Sequence, residues 1–135
     1  MKKKILIVEA NYYKNISSML LNSAKHELKN FGQVKTISVP GVFEIPVVIS
    51  RNIKKYDGFL ALGCVIKGET PHFDFISKSS IDTIMKLSTE NKKPIGNGIL
   101  TCLNKDQAIE RADKSNKNKG KEAADAAIEL LIGNN

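Results

Sequence analysis

The segment Gly63-Cys64-Val65-Ile66-Lys67-Gly68-Glu69-Thr70-Pro71-His72-Phe73-Asp74 gathers residue types that move protons and hold phosphate. A strand ends in it, a glycine permits close backbone approach, and Thr70 and Pro71 open a helix as N-cap and first helical residue. Free amides at such a start, with the Thr70 hydroxyl, suit a phosphate group. His72 stands in the first turn with Glu69 and Asp74 nearby, either as a proton carrier or as an ordinary surface histidine at a helix start. Imidazole titrates near neutrality, and the positive helix terminus favours its neutral, proton-accepting form.

Two further segments have the composition of a site. Val39-Pro40-Gly41-Val42-Phe43-Glu44-Ile45-Pro46 puts an aromatic and a carboxylate at a helix start after a strand. Phe43 is suited to stack on a flat ring and Glu44 to accept hydrogen bonds from hydroxyls, unless Phe43 is core and Glu44 only complements the helix dipole. Glu110-Arg111 and Asn116-Lys117-Asn118-Lys119-Gly120 lie between the last two helices. There an arginine offers two coplanar donors to phosphate and a lysine adds a point charge, unless the run is only a solvated charged face. His26, inside the first helix beside Glu27, reads as a surface residue. Cys64 and Cys102 each close an apolar run and read as buried free thiols. Two cysteines and two histidines in unrelated contexts form no zinc pattern, so no metal is expected. The absence of a Walker A or G-x-G-x-x-G motif argues against nucleotide triphosphates and dinucleotides.

These segments need a scaffold that presents the residues following its strands. Ile5–Val8 is a short β-branched run of the kind buried on both sheet faces. A polar and aromatic loop over 11–15 leads to a helical period at Ile16, Leu20, Ala24 and Leu28, with Gly32 as its stop. Lys35–Val39 reads as a second strand, and Val42–Tyr56 as a helix with Pro46 in its first turn. Phe59–Ile66 is a third strand. A helix from His72 to about Asn91 turns Ile81, Ile84 and Met85 inward. Pro94–Leu100 is a fourth strand, holding Gly96 and Gly98. Asn104-Lys105-Asp106-Gln107 resembles a capping box and opens a helix to Ala112. A last helix over about Gly120–Ile132 carries Ala124, Ala127, Ile128 and Leu131 as its stripe. Alternating strands and helices predict an α/β protein, with a parallel sheet covered on both faces and right-handed crossovers. Ligands then sit at the carboxyl ends of the strands, so residues 11–14, 40–44, 67–73 and 101 onward are the informative ones.

The 135 residues predict a single domain, 1–135, able to bury a core without disulfides. No apolar run approaches the ~20 residues of a membrane span. The N-terminal apolar stretch stops at Glu9, too soon for a signal peptide, so a cytoplasmic protein is expected. The net charge of +7 admits anionic small substrates, nucleic acid or acidic surfaces. The lysines are dispersed and lack interleaved aromatics, so nucleic acid is not the expected partner.

Taken together, Val-Pro-Gly-Val-Phe-Glu-Ile-Pro at 39–46, Gly-Cys-Val-Ile-Lys-Gly-Glu-Thr-Pro-His-Phe-Asp at 63–74, Pro-Ile-Gly-Asn-Gly-Ile-Leu-Thr at 94–101, Gln-Ala-Ile-Glu-Arg-Ala at 107–112 and Asn-Lys-Gly at 118–120 resemble the 6,7-dimethyl-8-ribityllumazine synthase family, in order and spacing across nearly the whole chain. The resemblance implies a flavodoxin-like three-layer sandwich with a four-stranded parallel sheet flanked by helices on both faces. It implies a transferase of riboflavin biosynthesis. The reaction condenses 5-amino-6-(D-ribitylamino)pyrimidine-2,4-dione with 3,4-dihydroxy-2-butanone 4-phosphate to the lumazine, phosphate and water, without metal or organic cofactor. It also implies a homopentamer, or an assembly of pentamers, with sites shared between neighbouring subunits.

Position by position, the resemblance makes Tyr12 the aromatic stacked on the pyrimidine. Val42, Phe43 and Glu44 form the ribityl side, and the backbone of Cys64, Val65 and Ile66 reads the pyrimidine edge. Glu69 and Thr70 form the phosphate cradle with Arg111 as its cation, His72 transfers protons, and Lys119 lies near the ligand. Asn97 stands where many members have phenylalanine, replacing an apolar wall with a hydrogen-bonding side chain. Asn11 replaces a common arginine, and Tyr13 stands where asparagine is frequent. A second family lysine aligns with Ser115, with Lys114 adjacent. A related archaeal-type riboflavin synthase or a non-catalytic flavin binder is separated from this reading by the presence of both His72 and Arg111.

Overall fold

The computed structural model describes residues 2–68 and 73–133. Its elements alternate along the chain: β1 Lys3–Ala10, α1 Lys14–Leu28, β2 Gly32–Val39, a 3-10 turn Val42–Glu44, α2 Ile45–Asn52, β3 Gly58–Ile66, α3 Phe73–Asn91, β4 Ile95–Cys102, α4 Lys105–Ala112 and α5 Lys119–Ile132. The four strands form one parallel sheet in the order β2-β1-β3-β4. The order reverses after β1, which places the switch point between β1 and β3.

Burial explains the layers. All nine residues of β3 are buried, as a central parallel strand requires. On one face Ile5, Ile7, Leu60, Leu62 and Leu100 pack under Leu20 of α1, Ala108 of α4 and Ala124 of α5. On the other, Leu6, Val8, Phe59, Ala61 and Ile99 pack under Ile45 and Ile49 of α2 and Ile84 of α3. Phe59 is fully buried in the second face, where truncation to alanine costs about 3–5 kcal/mol. Beyond β4, α5 crosses so closely that a Cβ on Gly96 would collide with the Ala123 carbonyl oxygen. That glycine therefore sets the spacing of this layer.

The elements match the expected order, and four local expectations are corrected. Gly32 is not a helix stop; it begins β2, where a Cβ would strike the Lys3 carbonyl oxygen of the neighbouring strand. The helix after residue 42 is a 3-10 turn followed by α2, and it ends at Asn52 rather than Tyr56. Lys93 stops it by donating through Nζ to the carbonyl oxygens of Ile53 at 2.6 Å and Tyr56 at 2.8 Å. β4 runs two residues past Leu100, to Cys102. Met85 points to solvent, 62% exposed. The inward stripe of α3 instead runs through Phe73, Ile76, Ser80, Ile84 and Leu87, and Met85 lies about 100° around the helix from Ile84. Asn104 does cap α4, its Oδ1 accepting from Gln107 N at 2.9 Å, while Gln107 Oε1 accepts from Leu103 N at 2.8 Å.

Candidate active site

At the carboxyl ends of the two central strands the chain turns into α1 and toward α3. The loop after β1 is tied to the end of β2 by Asn11 N donating to Val39 O at 3.0 Å. This sets Tyr12 out over the sheet end, 71% exposed, its ring edge-on to Tyr13 with centroids 4.9 Å apart. Beyond β2, Glu44 N donates to Gly41 O at 3.1 Å and closes the tight turn that carries Phe43. Phe43 is 69% exposed, so it is not core. Two large aromatics thus stand in water near the switch point, an exposure unusual for apolar side chains of this size. Beneath them Val42, at 5% exposure, fills the gap over Gly63.

Tyr12, Val42, Phe43, Cys64, Val65 and Ile66, all expected from the sequence, line one cavity of about 270 Å³. Tyr13 and Gly41, from the strand-following segments expected to be informative, complete its wall with Ile76, for which the sequence offered no signal. Glu44 lines an adjoining groove of about 490 Å³ between α2 and α3, with Phe43, Val47 and Leu87. Glu69, Thr70 and His72, together with the expected N-cap and Pro71, lie outside the described residues. His26 is exposed on α1, as its sequence context implies.

Asn97, Arg111 and Lys119 come together elsewhere, in a groove of about 510 Å³ along the outer edge of β4. Because β4 is the last strand of the sheet, its outward backbone groups have no strand partner. Side chains take two of them. Asn97 Oδ1 accepts from Ile99 N at 3.0 Å, and Arg111 Nη1 donates to Thr101 O at 3.2 Å. Asn97 thereby spends its acceptor on the strand and keeps its Nδ2 donors. Arg111 Nη1 also reaches Cys102 Sγ at 3.4 Å. Lys117 and Glu122 line the same groove. Lys117 belonged to the charge run between the last helices, but nothing in the sequence separated it from the other lysines. Glu122 holds Lys119 in an ion pair of 3.1 Å, one helical turn apart.

The two regions meet at sulfur. Cys64 and Cys102 are free, buried and on the same sheet face. Burial pushes the Cys64 thiol up to about 12, and its contact with Cys102 adds to this; the Arg111 guanidinium pulls weakly the other way. Cys64 is therefore a neutral wall of the cavity and not a nucleophile. Among the described residues no three His, Cys, Asp or Glu side chains cluster to hold a metal ion, and no helix is long and apolar enough to cross a membrane.

The sheet order and layering define a flavodoxin-like three-layer α/β protein, with its chemistry-bearing side chains at the strand ends and along one sheet edge. The sequence profile of the family described as 6,7-dimethyl-8-ribityllumazine synthase matches residues 2–133. The chain is similar to proteins of that description from Bartonella tribocorum, at 48% identity over 97% of this chain and 91% of the relative, and from Novosphingobium aromaticivorans, at 47% over 95% and 94%. A protein of the same description from Zymomonas mobilis is 45% identical over 95% of this chain and 94% of its own length. The chain belongs to the 6,7-dimethyl-8-ribityllumazine synthase family.

Proposed function

We propose that this chain carries out its family's reaction with the residues described above. It is an enzyme that condenses 5-amino-6-(D-ribitylamino)pyrimidine-2,4-dione with 3,4-dihydroxy-2-butanone 4-phosphate, releasing 6,7-dimethyl-8-ribityllumazine, phosphate and water. The observation that carries this is family membership along residues 2–133, joined to a cavity walled by exposed aromatics and a separate groove bearing guanidinium and ammonium groups.

The chemistry is amine addition to a ketone, phosphate loss and ring closure, with no net electron transfer to call for a redox cofactor. Tyr12 stacks on the pyrimidine, and the backbone of Cys64, Val65 and Ile66 reads its edge. Val42 and Phe43 cover the ribityl side, and Glu44 accepts its hydroxyls. Glu69, Thr70 and Arg111 hold the phosphate. Asn97 and Lys119 add donors, and His72 moves the protons. Holding both reactants in place is worth at most about 7–11 kcal/mol of the barrier, and the histidine supplies about 10²–10⁴-fold.

The site is shared: the aromatic cavity of one copy meets the β4 groove of the next in a ring of five, or in an assembly of such rings. Supporting this, Phe43, Val47, Phe75 and Met85 leave large apolar side chains in water around α2 and α3, a surface suited to a neighbouring copy. The whole chain works as one domain in the cytoplasm, where Cys64 and Cys102 stay reduced. The test is to mix purified protein with both substrates and follow lumazine fluorescence beside phosphate release. One phosphate per lumazine, above the spontaneous rate, is expected. Lumazine binding without accelerated phosphate release would overturn the reading. Native mass measurement checks the ring.

A further inference from the structure

We propose that Lys117 is a phosphate-binding residue of the same site, acting beside Arg111 as its second cation. This rests on the phosphate reading of the β4 groove and adds a residue to it. A phosphate monoester carries close to two negative charges near neutral pH, so one guanidinium leaves it under-compensated. The groove supplies three cations, and they are not equivalent. Arg111 commits Nη1 to Thr101 O and Cys102 Sγ and keeps Nε and Nη2. Lys119 is matched by Glu122 at 3.1 Å, so its charge is already answered within the groove. Lys117 lines the groove and forms no ion pair among the described residues.

The turn beneath Lys117 is built to hold it there. Asp113 O accepts from Asn116 N at 3.0 Å and Asn118 N at 3.1 Å. The Asp113 carboxylate takes Ser115 N at 3.0 Å and Asn116 Nδ2 at 3.2 Å. Lys117 N itself donates to Glu110 O at 3.2 Å, next to Arg111. Asn118 then adopts a left-handed conformation, φ 48°, and sends the chain into α5, a conformation asparagine tolerates better than most residues. With its backbone fixed, Lys117 loses less freedom on meeting an anion. Lys114, on the same turn, is exposed as Lys117 is but does not line the groove, which makes it the natural control.

The experiment measures Michaelis constants for both substrates, and the inhibition constant of inorganic phosphate, in Lys117→Ala, Lys117→Arg, Lys114→Ala and Arg111→Ala. Lys117→Ala should raise the constants for the butanone phosphate and for inorganic phosphate about tenfold, the size of one lost charge-assisted contact. It should leave the pyrimidine constant within twofold, and Lys117→Arg should restore most of the loss. Lys117→Ala behaving as Lys114→Ala, or raising both substrates' constants equally, would overturn the proposal. If Arg111→Ala alone leaves the phosphate constants unchanged, the arginine's role fails while that of Lys117 stands on its own numbers.

Discussion

The cavity at the ends of β1 and β3 and the groove along β4 are built by opposite rules. The cavity is aromatic and aliphatic, walled by turns, and rests on strands buried on both sides. The groove is polar and cationic, and it exists because β4 has no outer neighbour: Asn97 and Arg111 satisfy edge groups that another strand would otherwise take. One region offers a flat apolar slot, the other a row of donors. A reaction joining a heterocycle to a phosphate ester needs both. In a ring, each copy would give its slot to one neighbour and its groove to the other.

The largest expected effect breaks the division by removing the proposed proton carrier. His72→Ala should lower turnover about 10²-fold or more with both substrates still bound, once the spontaneous reaction is subtracted. A variant near full turnover would remove His72 from the mechanism. The shared-site arrangement adds a sharper outcome. Mixing His72→Ala with Arg111→Ala subunits should restore part of the activity, because an Arg111→Ala copy can present His72 to a neighbour that retains Arg111. Mixed rings no more active than the sum of the separate variants would place both residues in one chain's site.

A smaller pair of effects separates the slot from the groove. Arg111→Ala should raise the Michaelis constant for the butanone phosphate about 10–100-fold, as expected for lost charge-assisted hydrogen bonds, and hardly change that for the pyrimidine. Phe43→Ala should do the reverse by several-fold, since covering part of an exposed aromatic with the ribityl chain is worth about 1 kcal/mol. Steady-state kinetics with each substrate varied in turn reads both. Equal effects on the two substrates would mean that the residue supports the fold rather than one half of the site.

The slot was legible in the sequence because its residues follow strands, and strands are written as short β-branched runs. Knowing where β1 and β2 end points to the loops that carry Tyr12 and Phe43, whereas Cys64 reads from its apolar run only as a buried thiol and joins the slot through the resemblance. The groove was less so. Arg111 and Lys119 were picked out, but Lys117 looks like any lysine in a run of lysines, and only the Asp113 turn sends it to the β4 edge. Gly32 and Met85 were misread for a related reason. A glycine before a strand looks the same whether it ends a helix or lets two backbones approach. A methionine beside an isoleucine in a helix gives no sign which of them the sheet covers, because tertiary packing decides it. The residues whose chemistry was plainest, Glu69, Thr70 and His72, rest on motif alone.

The smallest expected effect lies at the sulfur junction, where the two regions compete over one thiol. Burial in the apolar wall holds Cys64 at about 12, well above its ordinary 9.0, while Arg111 from the groove side favours the thiolate. The sign of the consequence follows. Above about pH 9 the unfolded chain's thiol releases its proton and the folded one keeps it, so the folded state binds more protons and stability falls as pH rises toward 12. The fall is at most about 1.4 kcal/mol per pH unit. Lysines and tyrosines titrate in the same range, so the useful quantity is the difference between the parent chain and Cys64→Ala. Urea unfolding midpoints from pH 8 to 10.5 should show the parent losing stability faster than Cys64→Ala once pH passes about 9. Parallel curves would mean that the thiol ionises in the folded chain as easily as in water, and that the groove's positive charge reaches the cavity wall in strength.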